Sequence, residues 1–265
     1  MVLNMKSKET GILRGLIIAA FVSVTGSPVL AQDVMHLSTD AGASSITQAV
    51  FAPSPQHASS DVPHAAVQEF ALLVEQLETE HGPFDYRLSE PLQTAGIALE
   101  RQGDFLQALH LYERALHVTR INSGLYSEDQ IPIVEMLINA NVALENWAVV
   151  DNHFRYLHLL YTRLYKDDSP ELKRGLAQIS DWHVLAINND FGTDRVDHLR
   201  EANKLFSRRL AMMEGSVPDD DPAMHTLRYN IAITQYHLRV MSGGGNDAIF
   251  NRVEEQYEDQ IAALD

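Results

Sequence analysis

The chain has 265 residues, and its 36 acidic against 20 basic side chains give a formal charge of −16, which repels nucleic acid and anionic lipid and disfavours both as partners. Apolar residues make up 45% and charged residues 21%, enough to bury a sizeable core and unlike the balance of a disordered chain. There is no cysteine, so thiol nucleophiles, thiolate metal sites, disulfides and lipid attachment at a lipobox are excluded.

The first 31 residues read as a secretory signal peptide. Lys6, Lys8 and Arg14 form a basic start, and residues 15–24 (GLIIAAFVSV) a short apolar core. Gly26, Pro28 and then Val29-Leu30-Ala31 supply the break and a small-residue cleavage site. Cleavage is expected after Ala31. An uncleaved anchor needs roughly 20 apolar residues, and the uninterrupted run here is about half of that. Without residues 1–31, which carry three basic side chains and one acidic, the charge becomes −18. The expected location is periplasmic or secreted, with no membrane insertion after cleavage. Residues 32–62 are rich in Ala, Ser and Pro and show no sustained period, the composition of a flexible linker.

From residue 63 the pattern turns helical. Val67, Phe70, Ala71, Val74 and Leu77 share one face of a cap helix that His81-Gly82-Pro83 ends. Residues 84–86 form a short connector. Residues 92–116 (LQTAGIALERQGDFLQALHLYERAL) then carry two stripes. Leu92, Ala95, Gly96 and Leu99 make the first; Phe105, Ala108, Leu109, Tyr112, Ala115 and Leu116 make the second. Gly103 suits a left-handed helix end, and Asp104 suits the N-cap of the second helix. Small residues at Gly96, Ala108 and Ala115 allow close approach. The hairpin leaves apolar surface that it cannot cover alone.

Forty-two residues later Phe105, Tyr112 and Ala115 recur as Trp147, Phe154 and Leu157. The connecting turns rhyme as well: residues 124–132 (GLYSEDQIP) are answered by 163–172 (RLYKDDSPEL). A looser third hairpin follows over 172–187 and 195–213, and a fourth first-helix over 224–241. The repeat domain is thus 63–242. Residues 243–265 read as a glycine linker and a polar C-terminal helix.

The spacing of Gly96, Gly103, Phe105, Ala108, Tyr112 and Ala115 resembles the tetratricopeptide repeat (TPR), counted from Ser89 as its first position. Leu92, Leu99 and Arg120 depart from the Trp, Tyr and closing Pro expected there. The long period is similar to that of kinesin-light-chain-type repeats. The resemblance implies an all-α solenoid of antiparallel helix hairpins with an N-terminal cap helix. It implies a scaffold that binds a protein or peptide and does no chemistry of its own. With the signal peptide, it points to an exported protein of a Gram-negative envelope. The family's groove is lined by first-helix positions. Carried over, these are Glu90, Gln93, Ile97, Glu100 and Arg101, then Glu135, Asn139 and Val142, then Arg174, Asp181 and Leu185. Such a row would suit an extended segment bearing Lys or Arg. The alternative is a structural subunit of an envelope assembly, docking through its outer face.

No nucleophile elbow, P-loop, dinucleotide fingerprint or HExxH occurs. No catalytic residue, cofactor or metal site is assigned. His110, Glu113 and His117 share a helix face with metal-ligand spacing, and a histidine-based metal carrier or enzyme is the third reading. The reading preferred for them is a solvated stripe beside Leu109, Tyr112 and Leu116. His183 beside Trp182 reads as a partly buried packing residue. Asp167-Asp168 and residues 219–221 lack the alternation of a calcium loop and read as acidic turns.

Overall fold

The structure is a computed structural model and describes Leu37, residues 64–191 and residues 194–242. The expected signal peptide, the rest of the expected linker, and the glycine linker and C-terminal helix expected over 243–265 lie outside the described residues. Within them the chain forms eight α-helices and one short 3₁₀ turn. The elements are α1 (His64–His81), the 3₁₀ turn (Tyr86–Leu88), α2 (Ser89–Arg101), α3 (Phe105–Ser123), α4 (Gln130–Ala143), α5 (Trp147–Leu164), α6 (Pro170–Asn189), α7 (Arg195–Met213) and α8 (Pro222–Met241). The expected connector is therefore partly ordered: Asp85 caps the 3₁₀ turn by accepting from the Arg87 backbone N–H.

Consecutive helices pack on one another, so α2–α3, α4–α5 and α6–α7 are three hairpins, with α1 laid on α2 and α8 on α7. This is a TPR-like α-solenoid. Its helix starts follow from capping chemistry. Asp104 accepts from Gln107 N–H, Ser169 from Leu172, Asp194 from Val196 and Asp197, and Asp221 from Ala223. Pro170 and Pro222 open α6 and α8, where no intrahelical N–H is lost.

Each hairpin turns by the same device. Asp104 N–H returns to Leu99 C=O, Asn146 to Asn141 and Phe191 to Ala186, each closing six residues back to one. The left-handed residue before the closing donor is Gly103 (φ 80°) in the first hairpin, but Glu145 and Asp190 (both φ 56°) in the next two. A side chain there carries roughly 1 kcal/mol of steric cost. The later turns form without glycine, closed by the same backbone hydrogen bond.

Gly96 lies directly under the Tyr112 ring, and Gly175 under that of Tyr161. A methyl group at Gly96 would overlap the ring of a fully buried tyrosine. Gly96→Ala should therefore cost about 1–3 kcal/mol, the usual range for an overpacked core. A denaturant midpoint equal to that of the parent chain would show that the ring has room to retreat.

Two apolar cores run through the stack. One is built on α1 to α6 with Leu205 of α7; the other joins Val184 and Ile187 of α6 to Leu199, Ala202 and Phe206 of α7 and to Leu227 and Ile233 of α8. Phe191, Trp147, Trp182 and Phe154 form a run of stacked rings, with successive centroids 4.0, 6.4 and 5.1 Å apart. The recurring aromatics of the second repeat thus clasp α6. Arg120, where the repeat would close with proline, lies 4.6 Å over the Tyr156 ring. The Tyr156 hydroxyl and Gln130 share a short hydrogen bond, and Gln130 donates to Gly124 C=O at 2.8 Å. This polar knot holds the turn that proline would otherwise stiffen.

Candidate functional site

A cleft of about 690 Å³ opens where the cap helix, the 3₁₀ turn and the first hairpin meet. Phe70 and Leu73 of α1 and Tyr86 of the 3₁₀ turn give it an apolar wall. Leu73 is 39% and Tyr86 67% exposed, more than their own fold needs. Ser89, Gln93, Thr119 and Asn122 form a polar floor that is already bonded. Ser89 and Thr119 hydroxyls lie 2.8 Å apart, Gln93 donates to Ser89 Oγ at 3.1 Å, and Asn122 donates to Phe84 C=O at 2.8 Å.

The electrostatics of the cleft are acidic. Arg87 is its one lining cation, and Asp85 holds that guanidinium with two bonds of 2.8 and 3.0 Å. The Arg87 side-chain hydrogen bonds pull the Asp85 carboxyl down to about 2, so the pair is ionised and internally neutralised. Glu90 and Asp129 remain as lining carboxylates; Asp129 accepts from Ser123 at 3.2 Å.

Of the expected groove residues, Glu90 and Gln93 line this cleft. Ile97 is half-buried against the first core. Glu100 accepts from the Tyr112 hydroxyl at 2.8 Å, and burial and this carboxylate together raise that phenol's pKa. Glu135 accepts from Gln178 at 3.0 Å and ties α4 to α6. Asn139 is half-buried, and Arg101 and Arg174 are exposed. Two assignments are corrected: Val142 is 6% and Asp181 3% exposed, and neither is on an accessible face. Leu185 is buried as well. The reason is enclosure. From Ile179 to Ile187 every residue of α6 is buried, because the helix lies between α5 and α7. The unbroken sequence WHVLAI carried that signal. Phe70, Leu73, Tyr86 and Asp129 escaped sequence reading because they converge from three separate elements.

A second cluster lies at the seam of the two cores. Asp151, His183 and His198 are buried, with one ligating atom of each within 4.8 Å of the others, the one such group among the described residues. His110, Glu113 and His117 stay on the surface side of α3 instead, and the His117 ring packs edge-on against Phe84. His183 is thus corrected from partly buried to 6% exposed. Its Nδ1 lies 2.9 Å from His198 Nδ1, so one ring donates and the other accepts. Asp151 accepts from Trp182 Nε1 at 3.1 Å and pairs with Arg155 at 2.6 Å. Burial drives the His183 pKa down to about 3, and burial lowers that of His198 against the pull of Asp151. Both imidazoles are neutral near pH 7. With its carboxylate taken by Trp182 and Arg155, and its imidazoles bonded to each other, the cluster is a complete polar lock between α5, α6 and α7.

Comparison with solved structures finds two crystal structures described as a putative kinesin light chain of Podosopora anserina with nearly identical TPR-like repeats. One, a single-substitution form, has a TM-score of 0.48 and 12% identity over 76% of this chain and 87% of that one. The other has a TM-score of 0.47 and 14% identity over 75% and 88%. No family model matches the chain, and no curated protein matches it.

Proposed function

We propose that this protein is a binding module that captures an extended segment of a protein or peptide partner in the cleft beside α1 and α2, without chemistry of its own. The observation that carries the reading is the cleft itself: exposed Tyr86 and Leu73 beside two carboxylates on a strongly acidic chain. An apolar anchor with flanking Lys or Arg is the complement of that surface. The signal-like first 31 residues support an exported chain acting in a bacterial envelope, periplasmic or secreted. No helix among the described residues is long and apolar enough to cross a membrane.

The test is charge reversal at the cleft. Glu135 is unsuitable because it braces α4 against α6, so the variant is Glu90→Lys with Asp129→Asn. Exposed charges contribute about 0–1 kcal/mol each. The double variant should therefore slow capture of a Lys-rich partner and flatten its salt dependence, while the melting curve changes little. Asp219→Lys with Asp220→Asn, on a distant turn, changes the charge by the same amount and is the matched control. Equal weakening by both pairs would assign the effect to net charge and remove the cleft.

Docking as a structural subunit is the second reading, favoured by exposed Leu106 and Ile121 on α3 and Val149 and Leu159 on α5. Leu106→Glu with Val149→Glu would abolish assembly in that case and leave cleft capture intact.

A further inference from the structure

Leu37 is placed differently from every other core residue among those described. It belongs to no helix or turn, and it lies in a stretch whose composition is that of a tether. Yet it is 2% exposed and joins the second core with Val184, Ile187, Leu199, Phe206 and Leu227. Helical residues reach a core on the stripe of their own helix. Leu37 reaches the same core from outside any helix.

Its backbone is recognised as well. Leu37 N–H donates to Asn188 Oδ1 at 3.3 Å, and Asn188 Nδ2 donates to Leu37 C=O at 3.1 Å, across 151 residues of sequence. One primary amide thus takes the donor and the acceptor of one residue, as a neighbouring strand would. That pairing is indifferent to the side chain and selects a segment whose backbone groups are not used by a helix. The apolar seat supplies the choice of side chain. A backbone-reading amide beside a pocket for one aliphatic residue is the minimum apparatus for recognising an extended peptide.

We propose that the pocket formed by α6, α7 and α8 is a peptide-recognition site for a segment with one aliphatic anchor, and that Leu37 of the same chain is its resident ligand. The site is separate from the cleft beside α1 and stands whether or not that cleft binds a partner.

The experiment uses the full chain and a labelled synthetic peptide spanning residues 33–41 (DVMHLSTDA). Leu37→Ala should empty the seat, so this variant binds the peptide saturably, and the parent chain binds it at least about tenfold more weakly. Adding Asn188→Ala to Leu37→Ala should remove the binding, as should replacing Leu37 by Asp in the peptide. Hydrogen exchange supplies a second readout. Amides near Asn188 and Leu227 should exchange faster in Leu37→Ala, and saturating peptide should restore their protection. Equal binding by parent and variant, or none by either, would overturn the proposal. So would a collapse of the whole cooperative melt in Leu37→Ala without rescue by peptide, since that is the behaviour of an ordinary core residue.

Discussion

Ala108→Arg and Ala115→Arg, each made alone, are expected to abolish the cooperative melt of the helical array. Both alanines are 0% exposed, and both face the first core. An arginine there must either carry an unpaired charge into the core or pry α3 from its neighbours. Either route costs several kcal/mol, comparable with the whole stability of an ordinary domain, about 5–15 kcal/mol. Leu106→Arg is the control. It stands two residues away on the same helix, is 70% exposed, and should shift stability by no more than about 0.5 kcal/mol. Circular dichroism melts distinguish the outcomes. Parent-like melting of both buried variants would show that the close contact between the helices does not exist.

Acid should weaken the protein through the His183–His198 lock. The unfolded chain takes up a proton at each histidine near the ordinary value of 6.5, whereas folded His183 resists protonation down to about 3. Above pH 6.5 neither state binds that proton and the penalty is nil. Below it the unfolded state binds more protons, so stability falls steadily as pH drops from 6.5 toward 3. At pH 5 His183 alone removes about 2 kcal/mol, at roughly 1.4 kcal/mol per pH unit. His198 adds to this in the same direction, tempered by Asp151, Asp194 and Asp197 and reinforced by Arg155. Replacing the pair together, His183→Phe with His198→Phe, should reduce the fall in stability between about pH 7.5 and 5, leaving the part that burial of His153 and His158 contributes, and should keep neutral stability near its starting point. His183→Leu alone should lose about 1–3 kcal/mol at about pH 7.5, because a buried ring nitrogen loses its partner. An unchanged acid slope in the double variant would move the cause to another group.

The hairpins were legible because their causes are local. Gly103, Asp104 and the stripes of α2 and α3 act within about one helical turn of themselves, and the structure places Ala108, Tyr112 and Phe154 where those stripes require. The turns at Glu145 and Asp190 were not legible as left-handed, since neither residue favours that conformation as glycine does; hydrogen bonds from Asn146 to Asn141 and from Phe191 to Ala186 close over them. Groove positions transferred by repeat register succeeded in part. Glu90 and Gln93 line the cleft beside the cap helix, while Val142 and Asp181 are buried against neighbouring helices. Register reports which way a side chain leaves its helix and not what stands beyond. Asp151, His183 and His198 come from three helices, so no spacing within one segment could reveal them.

Since each helix packs chiefly on its neighbours in the chain, folding of this array is growth and not search. A new hairpin finds its partner across a turn of a few residues, at the low closure entropy that accompanies fast, local folding. The Leu37–Asn188 pairing breaks that order, for its two halves are 151 positions apart. Leu37 precedes every helix of the array in sequence, but its seat requires α6, α7 and α8 to be packed together. The contact can therefore close only after α6, α7 and α8 have packed, and its closure reports that they have.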